Sequence, residues 1–140
     1  MNSKRIMAVD YGFKRLGIAI TDSLRIIATP FKTIKSNKSL TKNASNVVNL
    51  ARNNNVSTIV LGLPINMDGS SGYMVKIIYS FIKKINIISN INTDVIDERL
   101  TTFQTKHILN EIGISKTKYK KNKDQVAAAI ILRTYLDKNL

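Results

Sequence analysis

Met74, Ile77, Ile78, Phe81, Ile82 and Ile85 recur at i, i+3, i+4, i+7, i+8 and i+11, between a short apolar run at residues 58–62 and the strand-length segment at 93–97. One apolar stripe at a 3.6-residue period belongs to a helix that packs on a broad apolar surface, and the flanking runs have strand length. Strand, helix and strand in that order need a crossover connection, which commits the chain to layers of helix against sheet.

The remaining segments extend the pattern. Residues 5–10 read as a strand, 11–14 as a tight turn around Gly12, and 16–21 as a second strand, together a hairpin. Residues 25–34 form a third extended segment, with Pro30 placing it at an edge or a bulge. Leu40, Ala44, Val47, Val48 and Ala51 have helical spacing, and Arg52-Asn53-Asn54-Asn55 ends that helix before the strand at 58–62. Beyond the strand at 93–97, Thr101 and Gln104 make a capping-box pattern for a helix that ends near Gly113. Residues 116–123 are a lysine-rich loop, and 125–136 are apolar on most faces, as in a buried helix. The expected fold class is α/β: a mixed five-stranded sheet flanked by helices, in one domain covering residues 1–140.

Several chemistries drop out. The chain has no cysteine and one histidine, His107, inside the third helix, so thiol catalysis and a zinc cage are excluded. No serine lies in a Gly-x-Ser-x-Gly context. No apolar run reaches 18 residues and residues 1–5 lead directly into a strand, so a soluble, cytoplasmic protein is expected. The formal charge of +13 points to a polyanionic partner. The 21 Ile, 16 Lys and 15 Asn are also what an AT-rich genome produces in any protein, which tempers that inference.

Three of the nine acidic residues sit at element ends: Asp10 closes Ile6-Met7-Ala8-Val9, Glu98 follows Val95-Ile96-Asp97, and Asp124 opens the last helix. In α/β sheets, ligands collect at the carboxyl ends of strands. Two carboxylates ~4 Å apart repel by about 1 kcal/mol in water and ~4 kcal/mol at a partly dry surface, so three together call for a proton or a cation. Oxygen-only ligands favour Mg²⁺ or Mn²⁺, whose usual substrates are phosphate esters. Each acid also has a plainer reading. Asp10 with Gly12 suits a hairpin turn, Asp124 a helix N-cap, and Glu98 competes with Asp97 for the inward position because a strand alternates its faces.

Asp10-Tyr11-Gly12, Gly62-Leu63-Pro64-Ile65-Asn66-Met67-Asp68-Gly69-Ser70, Asp97-Glu98-Arg99-Leu100-Thr101-Thr102 and Asp124-Gln125-Val126-Ala127-Ala128-Ala129 together resemble the YqgF family of Holliday junction resolvases and pre-16S rRNA nucleases. The resemblance spans nearly the whole chain, with motifs in the family's order and spacing. It implies a ribonuclease-H-like fold and metal-dependent cleavage of nucleic acid, with Asp10, Glu98 and Asp124 as the acidic triad. Two-metal hydrolysis is the expected chemistry: one ion activates water, and the other stabilises the leaving oxygen. Thr105 stands where the family usually has alanine, and the 116–123 loop is richer in lysine.

Lys116, Lys118, Lys120, Lys121 and Lys123 surround Tyr119 just before Asp124, as a phosphate-contacting loop would; the plain alternative is a solvated loop. Arg99 either pairs with Asp97 or meets a phosphate. The 62–72 segment suits a strand-to-helix turn, and it could also offer backbone N–H groups to phosphate, with Ser70 or Ser71 capping the next helix. An actin-like or sugar-kinase-like phosphotransferase also opens with a strand and an Asp-x-Gly turn, but it needs a second lobe. A non-catalytic RNA-binding assembly factor is the rival from another class. A symmetric junction cutter needs a dimer with two sites. The chain carries no dimer signature, so a monomer acting on pre-16S rRNA is expected, with a dimer on a DNA junction as the alternative.

Overall fold

The computed structural model describes residues 4–104 and 121–138. Its strands are β1 (Arg5–Tyr11), β2 (Arg15–Thr21), β3 (Ala28–Lys35), β4 (Val56–Leu63) and β5 (Asn92–Asp97). Its helices are α1 (Leu40–Asn53), α2 (Tyr73–Ile88) and α3 (Lys123–Lys138), with a 3-10 segment at Glu98–Gln104. The segment expected to open a helix at Thr101 is instead the second half of this 3-10 turn, in which the Thr101 hydroxyl donates to the Glu98 carbonyl at 2.6 Å. The rest of that expected helix, with Thr105 and His107, lies outside the described residues, as do Lys116, Lys118, Tyr119 and Lys120.

The sheet has the order β3-β2-β1-β4-β5. β1 pairs antiparallel with β2 and parallel with β4, which in turn pairs parallel with β5, so the sheet is mixed as expected. β3 is an edge strand, and the register skips Phe31 between Ile18↔Lys32 and Ala19↔Pro30. Pro30 therefore stands at a bulge on an edge, where its missing N–H is tolerated.

Period-2 alternation sorts the sheet's side chains between two helical layers. Met7, Val9, Tyr11, Leu16, Ile18, Ile59, Leu61 and Leu63 pack with α1 and α2. Ala8, Ala19, Ala28, Val60 and Ile96 pack with α3 through Ala128, Ala129, Ile131, Leu132 and Leu136. Ser39 caps α1, accepting from Lys42 N–H at 3.2 Å, and Asn55, at φ 56°, carries the chain out of it in the left-handed conformation asparagine tolerates. α2 begins after Gly72 with no side-chain cap. Ser70 is not free for that role: its hydroxyl donates to Asp68 Oδ1 at 2.6 Å, within a turn whose Gly69 has φ +88°.

Candidate active site at the carboxyl edge of the sheet

The parallel strands β1, β4 and β5 end on one edge, and the same alternation that builds the core decides which acids face α3. Ala8 lies against α3, so Asp10 does too. In β5, Asp94 accepts a hydrogen bond from the Tyr135 hydroxyl of α3 at 2.8 Å, and Ile96 packs on α3, so the next residue on that side is Glu98. Asp97 points the other way. Arg99 clamps it, with Nη2 2.6 Å and Nε 2.9 Å from Oδ2, and these bonds hold its carboxyl below the ordinary carboxylate range. Of the two adjacent acids, Glu98 is the one on the Asp10 side, and Arg99 is taken by Asp97.

Two strand glycines make room for this arrangement. Gly17 is the ladder partner of Asp10, and a Cβ there would overlap the Asp124 backbone carbonyl. The start of α3 therefore rests directly on β2. A Cβ on Gly62 would lie 2.7 Å from both Glu98 Oε1 and Ile131 Cδ1, so Glu98 folds over the bare backbone of β4. In the sequence Gly17 stands inside the expected second strand and Gly62 at the end of the expected fourth, but their neighbours were not visible there.

Electrostatics couple Asp10 to each of the other two acids. Burial, then the Asp124 charge, pushes the Asp10 carboxyl up to about 6. Burial, then Asp10 and Asp97, pushes Glu98 up to about 7. Asp124 lies inside the first turn of α3 rather than capping it, and its Oδ2 accepts from Arg15 Nε at 2.7 Å. Arg15 is a participant that sequence reasoning missed, because nothing local to residue 15 reports a partner 109 positions away.

Among the described residues, no three Asp, Glu, His or Cys side chains converge closely enough to enclose a metal ion. The donor set nonetheless fits a hard divalent cation: it is all oxygen and partly buried, and its two carboxyls are raised by burial first and by neighbouring negative charge second. Asp124 has Arg15 as a counter-ion instead. The pair is half-exposed, with the Arg15 side chain 60% accessible, and exposed pairs contribute only about 0–1 kcal/mol, so exchanging the arginine for a cation costs little. Lys121 and Lys123 are exposed just before this acid.

The same architecture occurs in nucleases. The RuvC of Thermus thermophilus, solved in complex with a Holliday junction substrate, superposes with a TM-score of 0.67 over 97% of this chain and 95% of that one, at 9% identity. The fowlpox virus Holliday junction resolvase gives a TM-score of 0.58 at 20% identity, over 96% of this chain and 99% of that one. The fold is thus of the RuvC type, a ribonuclease-H-like α/β architecture. The chain belongs to the RuvX family, described as Holliday junction resolvase, which it matches over residues 4–138. A relative from Endomicrobium trichonymphae, provisionally named a pre-16S rRNA nuclease, is 54% identical over 95% of each chain. One from Ruminiclostridium cellulolyticum with the same provisional name is 39% identical over 96% of this chain and 94% of its own.

Proposed function

We propose that this RuvX-family protein, a hydrolase of phosphodiester bonds, processes the 5′ end of pre-16S ribosomal RNA with a divalent cation, Mg²⁺ or Mn²⁺, held by Asp10, Glu98 and Asp124. What supports the site is the electrostatic coupling of Asp10 to both other acids, which stand just after β5 and in the first turn of α3, while Asp10 itself is near the end of β1. The relatives' names favour ribosomal RNA as the substrate.

Bound there, a divalent cation would supply an activated water and charge stabilisation at the leaving oxygen. The chain's own contribution is positional. Asp10 sits near the carboxyl end of the central strand β1, paired with Gly17 in the ladder. Glu98 is held against Gly62, and Asp124 can trade Arg15 for the cation. The lysines before Asp124 raise the local concentration of polyanion and orient its backbone.

A DNA four-way junction is the second reading, favoured by the family's own description. Purified protein incubated in parallel with labelled precursor RNA and a junction, with Mg²⁺, Mn²⁺ or chelator, decides between them. Cation-dependent cleavage of the RNA alone supports the first reading; cleavage of the junction alone replaces it with the second. No cleavage of either at any cation concentration would leave an RNA-binding assembly factor.

A further inference from the structure

On the far side of the β1–β2 turn from the acids lies a cleft of about 870 Å³, within the size range of ligand pockets. Its floor is apolar, formed by Ile34, Leu40, Ile77 and the ring of Tyr11. That ring is fixed: it packs 4.7 Å from Phe81, and its hydroxyl accepts a 2.9 Å hydrogen bond from the fully buried Asn43. Two more aromatic rings, Phe13 and Tyr73, line the cleft at 68% and 72% exposure. Four cations, Lys14, Arg15, Lys35 and Lys38, share the lining with neutral polar residues, and it includes no Asp or Glu among the described residues.

Single exposed aromatics are ordinary surface features, but two of them on one concave wall ringed by four cations are not. Cations fit a polyanion, and exposed rings fit the faces of unstacked bases. In a duplex those faces are covered by neighbouring base pairs, so only an unpaired strand can use both features at once. Arg15 joins the cleft to the acids, since it lines the one and binds Asp124 of the other.

We infer that this cleft is a docking site for an unpaired RNA segment, whose bases stack on Phe13 and Tyr73 while Lys14, Lys35 and Lys38 hold its backbone. The strand then crosses the sheet edge at the 12–15 turn, placing a phosphate beside Asp10, Glu98 and Asp124. This deepens the nuclease reading and rests on it for the identity of the strand, but the binding itself needs no catalysis.

The test is binding of a fluorescein-labelled, unstructured RNA dodecamer in chelator, with a blunt RNA duplex of equal length as control. Phe13→Ala and Tyr73→Ala alter exposed side chains and leave the core intact. Each should weaken single-strand binding ~5- to 150-fold, the range expected for loss of one stacked base, with the duplex affected less than twofold. Lys35→Gln with Lys38→Gln should reduce the magnitude of the log-affinity versus log-salt slope by about 0.7 per lost contact. Unchanged single-strand affinity in both aromatic variants overturns the proposal, as it would if the patch served a protein partner; so does equal weakening toward the duplex. Cleavage by wild type alongside unchanged binding in the variants would sink the cleft and spare the nuclease. Selective loss of single-strand binding in a protein that never cleaves would do the reverse.

Discussion

The two faces of the sheet are built to different rules. Toward α1 and α2 it presents large side chains, Met7, Leu16, Ile18, Ile59 and Leu61, which close around the fully buried Phe81. Toward α3 it presents mostly small residues, Ala8, Ala19 and Ala28 beside Val60 and Ile96, and the bare backbone of Gly17 and Gly62, which Asp124 and Ile131 of that helix approach. Each large side chain contributes roughly 1.5–3 kcal/mol on burial, so the first face supplies most of the apolar stabilisation. The small face buries less per residue, but it lets a helix approach within backbone contact, and all three acids are on that side. Stability and site geometry are therefore separable, and substitutions on opposite faces should show it.

The largest expected effect on stability comes from the large face. Phe81→Ala removes a fully buried ring and should lower unfolding free energy by about 3–5 kcal/mol in urea titrations, while cleavage per folded molecule is retained. A loss below ~1 kcal/mol would mean the division between faces is misdrawn.

Gly17→Ala should cost less stability, about 1–3 kcal/mol, but most of the activity, because the new Cβ meets the Asp124 carbonyl and must displace the start of α3. Gly62→Ala meets side chains rather than backbone, those of Glu98 and Ile131, and should be milder in stability while it displaces Glu98 and lowers activity. Full activity in Gly17→Ala, measured as cation-dependent cleavage, would detach Asp124 from the site.

Asp10→Asn should abolish hydrolysis and leave the melting temperature without metal unchanged or higher, since it removes like-charge repulsion. The pH dependence sharpens the point. With Asp10 raised to about 6 and Glu98 to about 7, the folded chain holds protons that an unfolded chain has already released. That contribution to stability is complete below the ordinary carboxylate range and is lost as pH rises through 6 and 7. Melting of the metal-free protein should therefore fall as pH rises from about 4 to about 7 and level off above that, and the fall should be shallower in Asp10→Asn. Equal slopes in the two proteins would place Asp10 outside the charged cluster.

The smallest effect on stability belongs to Arg15→Gln, which breaks a half-exposed pair contributing about 0–1 kcal/mol. Freed of its arginine, Asp124 should let Mn²⁺ raise the melting temperature at lower concentration than in wild type. A need for more Mn²⁺ would show that Arg15 assists the cation rather than competing with it.

Local pattern was enough to read the α/β class, the five strands, the α2 stripe and Pro30 at an edge or a bulge, because the periods of 2 and 3.6 and the missing proline N–H are written in neighbouring residues. It was also enough to pick out Asp10, Glu98 and Asp124 as acids at element ends. It could not decide between Asp97 and Glu98, since a shift of one residue exchanges the faces of a strand. That choice came from α3 packing on Ile96 and hydrogen bonding to Asp94. Nor could it foresee that Ser70 would be held by Asp68 instead of capping α2, that Arg15 would bind Asp124, or that Gly17 and Gly62 would be the floor beneath two of the acids. Those facts depend on strand order and on which helix lies on which face, and both are set by contacts between residues far apart in the chain. Sequence by itself determined the elements and the chemical groups; only the tertiary structure decided which groups meet.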